Sequence, residues 1–176
     1  MSDGPSPSAD ASAEASGGGA GRATLMAWAF YDWANAGYAT VIQTFVFAAY
    51  FTSRVAEDPT RGTSLWGAAI ATAGLTVAVL GPVLGAVADE GRRRKPWLAG
   101  FTLLCVGATA GLWWVHPDPA RAPLALGFVA VASLGSSLAN VFYNAMLPAL
   151  APGDRVGRWS GFGWGLGYVG GVACLG

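Results

Sequence analysis

The stretch LWGAAIATAGLTVAVLGPVLGAVA, residues 65–88, runs for 24 residues without a charge and is followed at once by Asp89-Glu90-Gly91-Arg92-Arg93-Arg94-Lys95. An apolar run of about 18 residues or more reads as a helix that crosses a bilayer. Four further stretches of the same kind lie at about 25–51, 97–115, 124–150 and 159–176, and 19 of the 20 charged residues fall outside the five. With 53% of its 176 residues hydrophobic and 11% charged, the chain has too little charge to cover a soluble domain. The same balance excludes a disordered or nucleic-acid-binding chain. The pattern predicts an all-α, polytopic membrane helical bundle.

Working outward, the connections at 52–64, 89–96, 116–123 and 151–158 are too short for a soluble domain, and their bases alternate. Arg22, Arg92, Arg93, Arg94, Lys95, Arg155 and Arg158 fall on one side, against Arg54, Arg61 and Arg121 on the other. The basic side stays in the cytoplasm, which puts the N-terminus there. Trp28, Trp66, Trp97, Trp113, Trp114 and Trp159 sit near the stretch boundaries, at headgroup level. Residues 1–24 are Ser, Ala, Gly and Pro with few apolar side chains and read as a disordered cytoplasmic tail ahead of a helical domain over 25–176. The small residues precede a 27-residue apolar run, so the first helix is expected to remain as an anchor rather than be cleaved as a signal. The fifth stretch reaches Gly176 without a polar flank, and the chain is expected to be the N-terminal fragment of a larger polytopic protein.

The chain has 26 glycines, most of them inside the apolar stretches. Gly163, Gly167 and Gly171 form an i, i+4 ladder, Gly161 and Gly165 a second, and Gly81 and Gly85 repeat the interval. Small residues at this spacing let helices approach closely in lipid, where packing replaces the missing hydrophobic force. Gly81-Pro82 is expected to bend its helix, because proline removes an internal hydrogen bond.

Neither a metal constellation nor a nucleophile, histidine and acid set is present. His116 is the sole histidine, and Cys105 and Cys174 lie in separate stretches, without a CxxC site. Gly161, Gly163 and Gly165 lack the strand–helix context of a dinucleotide loop. No cofactor is expected, and an enzyme is the weak reading. The polar residues instead line up on two helix faces. At 100° per residue Asp32, Asn35, Ala39 and Gln43 share one face of the first helix. Asp32 lies roughly 10 Å deep if that helix starts near Leu25, where a carboxylate costs several kcal/mol unless paired, protonated or hydrated. It is either a structural hydrogen-bonding group or part of a substrate path or proton site, unless the boundary is shallower and leaves it interfacial. Ser133, Ser136, Ser137, Asn140 and Asn144, flanked by Tyr143, form a second stripe. Such a stripe either joins helices or lines an aqueous path. Thr72 and Thr76 are weaker, since Ser/Thr in membrane helices often bond to their own backbone.

Asp89 opposes the dipole at a helix C-terminus and needs a positive partner nearby. Its loop resembles the one joining helices two and three in major facilitator superfamily transporters, the pattern G-x-L-A-D-R-x-G-R-R-x. Gly85, Val87, Ala88, Asp89, Arg93 and Arg94 match, while Glu90 replaces a base and Arg92 a glycine. Tyr31-Asp32-Trp33-Ala34-Asn35 with Tyr38 to Phe45, Arg94-Lys95-Pro96-Trp97, Phe142-Tyr143-Asn144-Ala145 with Leu147-Pro148, and Gly161 to Tyr168 narrow the resemblance to the vacuole-effluxer-like branch. It extends over about residues 26–176. Fungal members of that branch are linked to release of amino acids from the vacuole.

The resemblance implies a twelve-helix secondary transporter of two six-helix halves, of which this chain would supply the first five helices, with a cavity lined by helices one, two, four and five. The fourth stretch lacks the arginine of some proton-coupled relatives, and the fifth lacks the Gly-Pro motif of antiporter branches. The expectation is therefore transport of a small polar solute, with amino acids and proton coupling as candidates, in the bilayer of a bacterial inner membrane. Substrate-path candidates are Asp32, Asn35, Gln43, Asn140, Tyr143 and Asn144. The latch-loop candidates are Gly85, Asp89, Arg93 and Arg94, and the packing glycines are Gly81, Gly163, Gly167 and Gly171. The missing C-terminal helices are the expected protein partner. The competing reading is a small membrane scaffold that uses its glycine ladders only to bind other helices.

Overall fold

The computed structural model describes residues 21–90, 94–151 and 155–176, with Asp89 and Glu90 described by backbone alone. Among these residues all regular structure is helical. The first run is continuous from Arg22 to Val55 but changes pitch. It consists of α1 (Arg22–Gly37), a π segment (Tyr38–Phe45), the short α2 (Val46–Tyr50) and a second π segment (Phe51–Val55). Next come α3 (Pro59–Glu90), α4 (Arg94–Gly111, ending in a 3-10 turn at Leu112–Trp114), α5 (Ala122–Leu150, entered by a 3-10 turn at Pro119–Arg121) and α6 (Arg155–Ala173).

These helices are longer than the apolar stretches, because apolarity marks the part inside hydrocarbon while the backbone continues into the polar zone until something caps it. The helix starts at Arg22, inside the segment expected to belong to the tail; residues 1–20 lie outside the described residues. α3 begins at Pro59, six residues before the expected boundary. Asp58 Oδ1 accepts the Arg61 N–H at 2.7 Å there, and Pro59 has no N–H to leave unpaired. Asp118 plays the corresponding part before α5, accepting from the Ala120 N–H at 2.9 Å. α3 runs through Pro82 without interruption in its assignment.

Where five spans were expected, three helices are long and apolar enough to cross a membrane: Pro59–Ala88, Arg94–Trp114 and Pro119–Leu150, with mean hydropathies of 2.0, 1.4 and 1.7. The first run falls short as a single α-helix because its pitch changes, and α6 because glycine dilutes its apolar residues. α3 presents Leu75, Val79 and Val83, each at least 60% exposed, as an i, i+4 apolar stripe suited to lipid. Thr72 and Thr76 on the same helix donate to Ala68 O and Thr72 O, both at 2.8 Å, so their hydroxyls are satisfied within the helix.

Three pairings build the bundle: α4 along α5, α6 along α1, and α3 along α5. The first closes on backbone, since a Cβ at Gly135 would lie 2.9 Å from both Cys105 N and Phe101 O. The Trp97, Phe101 and Phe142 rings stack beside it, with centroids 5.7 to 6.1 Å apart. The second closes on the predicted ladder. A Cβ at Gly163 would lie 2.8 Å from Trp28, at Gly167 2.7 Å from Asp32 Oδ2, and at Gly171 2.6 Å from Thr40 Oγ1. Gly170, which the i, i+4 count leaves out, faces Trp33 in the same way. Gly81 behaves differently from these: it is buried, yet a Cβ there would meet only Val77 of its own helix, at 4.0 Å. Among the described residues it mediates no helix approach.

Candidate functional site

Tyrosines fix the first helical run against α4 and α5. The Tyr31 hydroxyl pairs with Thr102 Oγ1 at 2.7 Å, and the Tyr38 hydroxyl with Ser133 Oγ at 2.9 Å. Tyr143 of α5 is buried and stacked on Trp28, with centroids 4.3 Å apart and planes 6° from parallel, while Trp28 Nε1 donates to Tyr143 O at 3.1 Å. Tyr31 stacks on the same Tyr143 ring at 5.1 Å. These contacts set the rotation of α1 relative to α5, and with it the direction in which Asp32 points.

The outcome is an open groove of about 380 Å³ between α1, α5 and α6. Asp32, Asn35, Asn140, Tyr143 and Asn144 all line it, so five of the six predicted path residues converge although they come from stretches more than 100 residues apart. Asn144 Nδ2 donates to Asn140 Oδ1 at 2.7 Å, one turn apart along α5. Among the described residues, the Tyr143 hydroxyl beside them is buried without a hydrogen-bond partner. Asp32 is half-buried against Gly167, whose missing side chain leaves the carboxylate its space.

Gln43 is the sixth candidate, and it does not line the groove. The α-helical period placed it on the Asp32 face, but Gln43 lies in the π segment Tyr38–Phe45, where each residue turns the chain by less than the α-helical step. The face therefore drifts: Ala39 lines the groove wall as the period placed it, but Thr40 rather than Gln43 stands beside it. Trp164 and Tyr168 of α6 also line it, and sequence reasoning missed them. Their i, i+4 spacing, one residue after Gly163 and Gly167, was the available signal: a glycine ladder laid on α1 carries its neighbours to the edge of the contact.

The serine and asparagine stripe of α5 divides between its two readings. Ser133 is buried and holds Tyr38, which is helix joining, whereas Asn140 and Asn144 face the groove. Ser136 opens on a second, mostly apolar groove of about 490 Å³ with Tyr31, Tyr38, Thr102 and Cys105; Asn35 borders both. Cys105 and Cys174 are both free thiols. Among the described residues no group of three His, Cys, Asp or Glu side chains could hold a metal ion.

Of the latch-loop set, Arg93 and the Asp89 side chain lie outside the described residues. Arg94 reaches across to donate to Ala145 O, tying the start of α4 to the end of α5 near Pro148. Beyond the backbone of its own helix turn, no described atom lies within 4 Å of a Cβ placed at Gly85.

The profile of the family described as "Vacuole effluxer Atg22 like" matches residues 54–160. The chain belongs to this family. The Atg22-like chain is also 37% identical over 147 residues to the "Uncharacterized MFS-type transporter YxiO" of Bacillus subtilis (strain 168). That match takes in 82% of this chain and 34% of the relative, so the chain spans about a third of the length of the curated protein it matches. No solved structure matches. The Atg22-like chain is thus a multi-pass integral membrane protein of a transporter family, and this membership sets it apart from enzymes.

Proposed function

We propose that the chain supplies the first five helices of a twelve-helix secondary active transporter for a small polar solute, with the groove between α1, α5 and α6 as one wall of the solute path. The observation that carries this reading is the convergence of Asp32, Asn35, Asn140 and Asn144 in one groove of a chain that otherwise turns apolar side chains outward. Polar groups in a membrane protein are costly facing lipid and so face a path or another helix. The i, i+4 glycine ladder counts against the scaffold alternative: Gly163 and Gly167 are taken up by α1 and Gly171 by the π segment that follows it, all of the same chain, and they are not free for another protein. Amino acids are the solute class that the resemblance implies. The excess of bases at Arg22, the 92–95 loop and Arg155/Arg158 supports a cytoplasmic N-terminus and tail, and the Bacillus relative supports a bacterial plasma membrane.

The test is a solute-uptake screen on the complete protein in liposomes, wild type beside Asp32→Asn, which keeps size and removes charge. Saturable uptake by the wild type, cut strongly by the substitution, is the expected result. An absence of saturable uptake for every class of small solute would overturn the reading.

A further inference from the structure

We infer, resting on the transporter reading above, that the Tyr143 hydroxyl is a hydrogen-bonding group of the solute path and that α6 is a movable cover which hides and releases it. Tyr143 is 4% exposed, and its ring is taken up by Trp28 and Tyr31, with centroids 4.3 and 5.1 Å away. Only the hydroxyl end is left to act. Two other tyrosines at this junction are satisfied, Tyr31 on Thr102 and Tyr38 on Ser133. The Tyr143 hydroxyl has no partner among the described residues, and it is closed off so fully that neither water nor a further helix of the complete protein can reach it in this state. A buried hydroxyl left unpaired is destabilising, and phenylalanine would fill the same space without that cost. Thr109 is the other buried hydroxyl without a partner, but rotation about χ1 turns a helical threonine onto a carbonyl one turn back. A hydroxyl at the end of a rigid ring has no such recourse.

The element lying over that hydroxyl is α6: a Cβ at Gly163 would be 3.3 Å from Tyr143 Oη. The α6 carbonyls there are engaged within their own helix. α6 packs along α1 and touches α5 little. At Gly163, Gly167, Gly170 and Gly171 it brings no side chain to the contact; the side chains are those of Trp28, Asp32, Trp33 and Thr40. Parting α6 from α1 therefore withdraws no interlocked α6 side chain at these positions, and in lipid it forfeits van der Waals fit rather than hydrophobic burial. In the parted state the Tyr143 hydroxyl opens on the groove that Asp32, Asn140 and Asn144 already line, where it can donate to a solute or accept from one. The seated state carries the unpaired group and the parted state relieves it, which narrows the free-energy gap between the two.

The test uses the complete protein, in nanodiscs for thermal unfolding and in liposomes for uptake of radiolabelled amino acids and of any other solute that the wild type takes up in the screen above. Tyr143→Phe should melt at the wild-type temperature or higher, whereas Tyr31→Phe, which breaks a pair, should melt lower. Uptake by Tyr143→Phe should nevertheless fall about fivefold or more. The cover is tested by a staple. A Cβ at Gly37 would lie 3.3 Å from Cys174 Sγ, so Gly37→Cys, with Cys105 and any further cysteine replaced by alanine, sets two thiols within disulfide range and ties α6 to the end of α1. Oxidation with copper phenanthroline should abolish uptake, and dithiothreitol should restore it. The inference is overturned if Tyr143→Phe melts lower than the wild type, if it takes up solute as the wild type does, or if uptake persists with the staple formed. A staple that does not form contradicts the α1–α6 contact and removes the cover with it. The two readings fail separately: wild-type uptake that survives both Tyr143→Phe and the staple removes only this inference, whereas no wild-type uptake of any solute removes the transporter and the cover together.

Discussion

Residue by residue, the groove depends on atoms that are missing as much as on atoms present. Asp32 can lie against α6 because residue 167 is glycine; a methyl group there would fall 2.7 Å from its carboxylate oxygen. Two residues earlier, Gly165 has nothing within 4 Å of the corresponding position. Gly167→Ala should therefore move Asp32, lower transport by about tenfold or more, and cost about 1–3 kcal/mol of stability as overpacking. Gly165→Ala should change stability by no more than about 0.5 kcal/mol. Thermal unfolding in detergent, measured beside uptake for both variants, checks this, and equal effects at the two positions would contradict the packing described. Gln43 gives the complementary comparison. It lies off the groove wall, so Gln43→Ala should leave uptake near the wild-type level, while Asn144→Ala should reduce it.

For the elements, two contacts of different character make the bundle. α4 and α5 meet backbone to backbone at Gly135, and α6 carries a glycine ladder that accepts Trp28, Asp32 and Trp33 of α1 and Thr40 of the π segment after it. In lipid neither contact gains from the hydrophobic effect, so its strength comes from van der Waals fit and interhelical hydrogen bonds. Gly135→Ala is expected to separate α4 from α5 at a cost of about 1–3 kcal/mol. Tyr38→Phe, which leaves the buried Ser133 hydroxyl without its partner, should cost about 1–2 kcal/mol. Unfolding in detergent measures both. If the two variants are neutral together, the α1/α4/α5 arrangement described above is wrong. The π segment at Tyr38–Phe45 belongs to the same scale. It changes which side chains of one continuous helical run share a face, and so determines that Thr40 rather than Gln43 continues the groove.

For the whole molecule, topology and completeness are the questions that experiments can settle. In a background without Cys105 and Cys174, cysteines introduced at Thr60 and Lys95 should respond differently to a membrane-impermeant thiol reagent in intact cells. Thr60 should be labelled and Lys95 protected; the reverse pattern would invert the orientation. The 176-residue chain alone should insert but not carry solute, since its groove is one open wall and a path must close from both sides. Saturable uptake by the chain alone, equal to that of the complete protein, would contradict this. What the sequence by itself determined were the properties a short window contains. They include the apolar stretches behind α3, α4 and α5, the polar faces around Asp32/Asn35 and Asn140/Asn144, and the self-satisfied Thr72 and Thr76. Each depends on residues within a turn or two of one another, where helical periodicity is enough. Tertiary structure alone decided which small residues meet a neighbour, so that Gly163, Gly167 and Gly171 pack on the first helical run while Gly81 meets no other described helix. It also decided that the pitch change removes Gln43 from the face, and that Trp164 and Tyr168 join Asp32 from the far end of the chain. The physical reason is the same in each case: a groove between helices is set by how their faces are paired and rotated, and that is fixed by long-range contacts such as Trp28 on Tyr143 and Tyr38 on Ser133, which no local pattern contains.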